Sequence, residues 1–230
     1  MRVFSIVGNK DTGKTTLTTR IIKELIKRGN TVGTVKHSHH TMVMDKENTD
    51  TFKHKSAGAT TVVGIGSTTF FNIDEQIPLN RILFLIKVLN EPDYVIIEGF
   101  KDYPYPKISC SKNLTDEYTI KTVNAKDLTD TEVVELTDMI TKYAYDIVDT
   151  LQTRDCGYIN TDEIAQEYIK ENIKLEENSE VSLAINDKNI RINPFVNDFI
   201  KSTIEGMLKS IKTDEYGIKD FEKIEILIKK

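Results

Sequence analysis

Apolar residues fill Val3 to Val7 except at Ser5, and after a polar gap they recur at Leu17, Ile21, Ile22, Leu25 and Ile26. The first run has the length of a buried strand. The spacing of three and four that follows belongs to one face of a helix, with Gly29 as its stop. Thr31 to His37 is a second strand-like run, and the polar stretch from Ser38 to Ser56 is long enough for a functional loop. ATTVVGIGSTTFFNI predicts two short strands bent at Gly64 and Gly66, Pro78 opens a helix through Leu89, and PDYVIIEGF predicts an apolar strand ending at Glu98. PKISCS and YTIKTV supply two more strands, and Glu132 to Asp149 carries a helical stripe that includes Val133, Leu136, Ile140, Tyr143 and Ile147. Strands alternating with helices predict an α/β fold with a mostly parallel sheet covered by helices. Ligands of such sheets lie beyond the carboxyl ends of the strands, where His37, Glu98 and Gly99 fall.

Beyond Thr153 the pattern changes. Asp162 to Glu171 predicts a helix, VSLAI and IRI flank the turn formers Asn186 and Asp187 as a hairpin, and Asn193 with Pro194 caps a further helix. KIEILIKK alternates as a closing strand would. The chain therefore divides into a nucleotide-binding domain over residues 1–153 and a small C-terminal α+β domain over residues 157–230. A domain of that size has a modest core and is expected to pack on the first domain or on a partner.

The polar gap after the first strand is GNKDTGKTT, Gly8 to Thr16. Its spacing, G-x-x-x-x-G-K-T between a strand and a helix, is that of the phosphate-binding loop of a P-loop NTPase. Gly8 and Gly13 let the backbone through Asn9, Lys10, Asp11 and Thr12 approach a ligand, so that successive N–H groups face phosphate oxygens. Lys14 neutralises the β- and γ-phosphates and Thr15 offers its hydroxyl to Mg²⁺. Thr16 follows in the first turn of a helix whose positive dipole end faces the same anions. A turn that bound nothing would have no use for Lys and Thr at these two positions. Asp11 is the oddity, because a carboxylate repels phosphate unless it points away or caps a loop N–H.

Glu98, at the end of YVIIEG, stands where a second acidic residue contacts Mg²⁺ or polarises the attacking water, and Gly99 permits close approach to the γ-phosphate. The plain alternative is a solvated carboxylate at a strand end. All four histidines, His37, His39, His40 and His54, lie in one stretch with Asp45 and Asp50. Their spacing is neither C-x-x-C nor H-E-x-x-H, so three readings stay open: substrate or phosphate contacts, a structural or transported metal, and a solvated loop. Asp45 and Asp50 are the better candidates for a magnesium shell, since hard cations prefer oxygen ligands.

Charge and cysteine content narrow the class. Acidic residues outnumber basic ones by 36 to 31, for a formal charge of -5, and no basic block occurs, which disfavours a nucleic-acid surface. Cys110 and Cys156 are too few for a disulfide framework, so a reducing cytoplasm is expected. RILFLIKVL, the most apolar internal run, is short and broken by Lys87, so neither a membrane span nor a secretory signal is expected.

Taken in order, VGNKDTGKTTL, TVGTVKHSHH, MDKENTDTFKHKSAGA, DYVIIEGFK and PKISCS resemble the MobB family, adaptor proteins of molybdopterin-guanine dinucleotide biosynthesis. The resemblance covers roughly residues 1–150. It implies a GTP-binding homodimer with weak, Mg²⁺-dependent GTPase activity, associated with the MobA-like guanylyltransferase that attaches GMP to molybdopterin and with recipient molybdo- or tungsto-enzymes. Molybdopterin or its guanine dinucleotide would be a further ligand. By motif, Gly8, Gly13, Lys14, Thr15 and Thr16 would hold phosphate and Mg²⁺, while Lys36, His37, His39, His40, Asp45, Asp50, Glu98, Gly99 and Lys101 would line the functional face. The chain departs from the family pattern at Thr41, where Asp is common, and at Glu47-Asn48, where Pro-Gly is common. Extended archaeal members are expected to carry cysteine-rich segments, whereas only Cys156 stands here.

Two other classes share the phosphate cradle, a small-molecule kinase and a metal-delivery NTPase with His39 and His40 as cargo ligands. The chain's six arginines, Arg2, Arg20, Arg28, Arg81, Arg154 and Arg191, form no lid-like cluster, which lowers the kinase reading. The usual N-K-x-D base-reading motif is absent. TVNAKDL instead carries Asn124, Lys126 and Asp127 in a permuted arrangement, so Asp127 is the candidate guanine contact, with a polar turn as the alternative.

Overall fold

A computed structural model describes residues 1–38, 45–153, 160–176, 180–218 and 220–228. In chain order its elements are β1 (Arg2–Val7), α1 (Lys14–Lys27), β2 (Val32–Lys36), α2 (Asp50–Ser56), β3 (Thr61–Ile65), β4 (Thr69–Ile73), α3 (Leu79–Leu89) and β5 (Tyr94–Glu98). There follow β6 (Lys107–Ser109), β7 (Thr119–Thr122), α4 (Asp130–Tyr143), α5 (Thr161–Ile169), β8 (Leu183–Ile185), β9 (Lys188–Ile190) and α6 (Pro194–Leu208).

Five strands form one parallel sheet in the order β2-β5-β1-β6-β7. β1 is central, and its register sets Ile6 against Glu98 on one side and Val7 against Ser109 on the other. Side chains of successive strand residues point to opposite faces, and both faces are apolar because both are covered. Phe4, Ile6, Tyr94 and Ile96 therefore pack with Leu17, Ile21 and Leu25 of α1 and with Val133, Leu136 and Ile140 of α4. Val3, Val95 and Ile97 pack the other way, with Leu79 and Leu83 of α3 and with Tyr105, Tyr118 and Tyr145. α4 starts in a full capping box, the Thr129 hydroxyl accepting from the Glu132 N–H while the Glu132 carboxylate accepts from the Thr129 N–H.

Four elements differ from the sequence pattern. The helix expected to reach Asp149 stops at Tyr143, because Ala144 turns extended and Tyr145 bridges to Val3, whose N–H donates to the Tyr145 carbonyl at 2.7 Å. Ile147 and Val148 are still buried, but by this strand-like return and a 3₁₀ turn at Val148–Thr150. The polar stretch through Ser56 is not all loop: the Thr49 hydroxyl accepts from the Phe52 N–H and starts α2 at Asp50. Pro78 stands at the N-cap of α3 rather than in its first turn. KIEILIKK forms no strand among the described residues, and Ile226, Leu227 and Ile228 are exposed. Alternation needs an edge to pair with, and none of the described strands supplies one there.

The β3–β4 pair stands apart from the main sheet as an antiparallel hairpin. β8 and β9 form a second hairpin, where Asn186 (φ 49°) and Asp187 (φ 62°) take the left-handed conformations that a tight two-residue turn requires. Ile164 and Ala165 of α5 and the following Ile173 sit in the same apolar cluster as Val3, Tyr105 and Tyr145. The segment after the boundary expected at residues 153–157 thus packs on residues before it through α5 and Ile173. Among the described residues no helix is long and apolar enough to cross a membrane.

Candidate nucleotide site

The loop between β1 and α1 is built around Asn9, whose polar groups are heavily engaged. Its N–H donates to the Ser111 hydroxyl at 2.9 Å and its side-chain amide donates to the Asn113 side-chain oxygen Oδ1 at 3.1 Å. Its own carbonyl accepts from the Thr12 hydroxyl at 2.9 Å and from Lys14 Nζ at 2.6 Å. Gly13 has φ 84° and forms the N-cap of α1. A Cβ on Gly8 would meet Thr12 Oγ1 at 2.7 Å and Cys110 Cβ at 3.0 Å, so only glycine fits the close return of the loop. Asp11 also takes a left-handed conformation (φ 61°) and is exposed, as are Asn9 and Lys10. The oddity of a carboxylate in this loop is resolved by its pointing to solvent at a position Asp tolerates.

Below the loop, parallel pairing brings Glu98 beside the start of α1. The Thr15 hydroxyl donates to Glu98 Oε1 at 2.8 Å, and Lys36 Nζ stands 3.3 Å from the same oxygen. Glu98 is buried whereas Lys36 is half-exposed, so the carboxylate is held by β2 on one side and by α1 on the other. The next residue of β2's run, His37, donates its N–H to the Glu98 carbonyl at 3.0 Å and sets its ring 4.3 Å from that of Phe100. Gly99 (φ 100°) makes this possible, since a Cβ there would lie 3.1 Å from His37 Cβ. Phe100 itself sits at φ 49°, a strained conformation for a bulky residue.

Part of the other wall comes from residues that the sequence pattern did not single out. Ser111 and Asn113, in the loop after β6, hold Asn9 from outside, and the Ser109 hydroxyl donates to the Ser111 carbonyl at 2.8 Å. Lys107, fully buried on β6, donates to the carbonyls of Lys101 (2.7 Å) and Tyr103 (3.0 Å) and pairs with Asp116 at 2.6 Å. It thereby ties down the loop that leaves Glu98. Burial pushes the Cys110 thiol up to about 11 despite nearby Lys14, so it is a neutral part of the wall. After β7, the Asn124-Ala125-Lys126-Asp127 turn lies against the phosphate loop: a Cβ on Gly13 would meet Ala125 Cβ at 3.2 Å and Lys126 Cγ at 3.4 Å.

A family described as molybdopterin guanine dinucleotide synthesis protein B, MobB, matches residues 3–134. The chain belongs to the MobB family. A MobB-family relative from Methanocaldococcus jannaschii, named for the molybdopterin-guanine dinucleotide biosynthesis adapter role, is 30% identical over 229 residues, 92% of each chain. The adapter protein of Haemophilus influenzae is 36% identical over 108 residues, 46% of this chain and 61% of its own. A solved MobB homologue from Bacillus stearothermophilus aligns over 60% of this chain and 97% of its own, at 21% identity and a TM-score of 0.45.

Within this MobB chain the expected site residues do not all come together. Gly8 to Thr16, Lys36, His37, Glu98 and Gly99 converge as described. Lys101 contributes its carbonyl to Lys107, and its side chain is exposed. Asp45 accepts from the Lys46 N–H and the Thr49 hydroxyl, each at 2.9 Å, and hydrogen bonds from Thr51, Thr49 and Lys46 hold its carboxyl below the usual range. Asp50 pairs with Lys53 in the first turn of α2. The contacts described for both aspartates thus lie within their own segment. One Asp45 oxygen is buried without a partner among the described residues. His39 and His40 lie outside the described residues, and no group of three or more metal-ligating side chains occurs among the described ones.

The donor set fits a magnesium–triphosphate ligand. Thr15 Oγ1 and Glu98 Oε1 are hard oxygens side by side, and Gly8 and Gly13, where a Cβ would meet Thr12 and Ala125, let the loop close tightly around them.

Proposed function

We propose that this MobB-family adapter of molybdopterin guanine dinucleotide biosynthesis binds GTP with Mg²⁺ on its P-loop and hydrolyses it slowly. The observation that carries the reading is the Thr15–Glu98 contact at 2.8 Å directly beneath the Lys14 loop. Bound there, Mg²⁺ would be held by Thr15 and Glu98 and would draw charge from the phosphate oxygens. Lys14, now on the Asn9 carbonyl, has only to exchange one oxygen acceptor for another to reach a phosphate. Glu98 is an acceptor-only carboxylate when ionised, able to orient a water's proton, and Lys36 keeps it in place. Arg2, Arg20, Arg28 and Arg81 make their hydrogen bonds and ion pairs elsewhere. With no arginine at the phosphates turnover stays low, because such a residue is worth about 10³ to 10⁵ in rate.

Guanine selection is assigned to the turn after β7. The Asn124 amide donates to Asp127 Oδ2, a contact that aligns the carboxylate beside the P-loop. A carboxylate accepts from guanine N1–H and its 2-amino group together, whereas adenine leaves it facing an acceptor at a cost of about 1 to 3 kcal/mol. GTP and ATP titrations are expected to show a preference of about tenfold for GTP in the wild type and its loss in Asp127→Ala. A wild type without preference overturns the GTP assignment, and a variant that keeps the preference removes Asp127 from the base site.

The active form is proposed to be a homodimer. Val63, Ile65, Phe71 and Ile73 lie on one exposed face of the β3–β4 hairpin, with Val63 directly opposite Phe71, and Ile65 is 82% exposed. Apolar surface of this kind is normally covered by a partner. Ile65→Lys with Phe71→Lys is expected to turn a sedimenting dimer into a monomer that still binds nucleotide; a monomeric wild type at micromolar concentration overturns the dimer. The MobA-like guanylyltransferase, carrying molybdopterin or its guanine dinucleotide, is the proposed client, and GTP-dependent binding of the purified enzyme checks it.

A further inference from the structure

We propose that Arg20 is a positioning residue for base selection, which rests on the guanine reading above and carries it one step further. Arg20 lies on α1, the helix whose first turn carries Lys14 and Thr15. Its guanidinium donates through Nη1 to the Leu128 carbonyl at 2.7 Å and through Nη2 to Asp130 Oδ1 at 2.7 Å. One fork therefore holds two points of the segment that follows Asp127, and the Leu128 carbonyl belongs to the very next residue. The other end of the turn is fixed as well: the Val123 N–H donates to the Ser109 carbonyl at 2.8 Å, and Ala125, 2% exposed, packs beside Gly13.

The consequence is geometric. Phosphates are held by the first turn of α1, and the proposed base reader is bolted to the second turn of the same helix. The separation between the two is then a property of one rigid element, which is what a nucleotide-length ruler needs. Asp130 is the first residue of α4, so the same fork also joins α1 to α4. An exposed ion pair with Asp130 alone would contribute little, but the bond to the Leu128 carbonyl is part-buried and directional, and a planar guanidinium satisfies both at once. A lysine ammonium is a point charge on a flexible stem and does not reproduce this planar fork.

The separating measurement compares three ligands, GTP, ATP and inorganic tripolyphosphate, each with Mg²⁺, by calorimetric titration of the full chain. Arg20→Ala is expected to weaken GTP binding about tenfold while tripolyphosphate affinity stays as in the wild type, so that the GTP-to-ATP ratio collapses. Arg20→Lys is expected to fall between the two, and Asp130→Ala, which leaves the Leu128 bond in place, to retain most of the ratio. Equal weakening of all three ligands in Arg20→Ala shows a merely structural residue and overturns the proposal. So does a ratio that survives Arg20→Ala but is lost in Asp127→Ala. A wild type that binds GTP no better than ATP instead overturns the guanine reading, and the positioning role with it. Thermal unfolding of each variant guards the comparison, and an Arg20→Ala chain that does not fold transfers the decision to Arg20→Lys.

Discussion

Lys14→Ala is expected to bind magnesium triphosphates about tenfold or more weakly than the wild type and to show no measurable hydrolysis, while melting at a similar temperature. The Lys14 ammonium already lies inside the loop, on the Asn9 carbonyl, and that carbonyl keeps its bond from Thr12 when Lys14 is removed. Asn9 also keeps its bonds to Ser111 and Asn113. Alanine favours the helix that begins at this position. The loop therefore survives and the loss falls on the ligand, where a charge-assisted hydrogen bond is worth about 1.5 to 3 kcal/mol. Equilibrium titration of a folded variant decides the matter: unchanged affinity means that Lys14 does not meet the phosphates, and the P-loop assignment is lost.

A chain ended after Thr153 is expected to be far less stable than one ended after Glu176. Ile164 and Ile173 are 1% and 9% exposed in the cluster that also holds Tyr105, Tyr118 and Tyr145. Burying two isoleucines contributes about 3 to 6 kcal/mol, against a total stability of about 5 to 15 kcal/mol for a domain. The cut also removes hydrogen bonds from Gln166 to Tyr118 at 3.1 Å and from Tyr168 to the Lys142 carbonyl at 2.8 Å. Urea unfolding of the two truncations and the full chain measures the difference. Equal midpoints for the two truncations would show that α5 rests on this core without supporting it.

The parts of the site that were legible in the sequence are those whose chemistry is local. Gly8, Gly13, Lys14 and Thr15 are recognisable because a phosphate loop is a fixed spacing between two patterned elements. Glu98 and His37 are recognisable because strand ends in a parallel sheet converge. Ser111, Asn113 and Lys107 were not, the first two because their partner Asn9 lies more than a hundred residues away in the chain, and Lys107 because its burial decides what it does. A lysine buried among carbonyls is written with the same letter as one in solvent. The long α4 stripe misled for a related reason: Ile147 and Val148 are apolar because they are buried, and periodicity does not say by which backbone path. The alternating tail ending in Ile228 shows the converse, a strand-like pattern with no edge to join among the described residues.

The strand order has a consequence for how the molecule assembles. β1 precedes its sheet neighbours by a long stretch of chain: β5 pairs Tyr94 with Arg2, and β6 pairs Ser109 with Val7. The loop after β1 hangs from its carboxyl end and is propped by Glu98 and Ser111, so its folded shape depends on chain as far as residue 111. Closing such long loops costs entropy before any contact repays it, and sheets with distant pairings accordingly fold in roughly milliseconds to seconds rather than microseconds. The motif most readily recognised in the sequence thus takes its shape from partners 83 and 102 residues further along the chain.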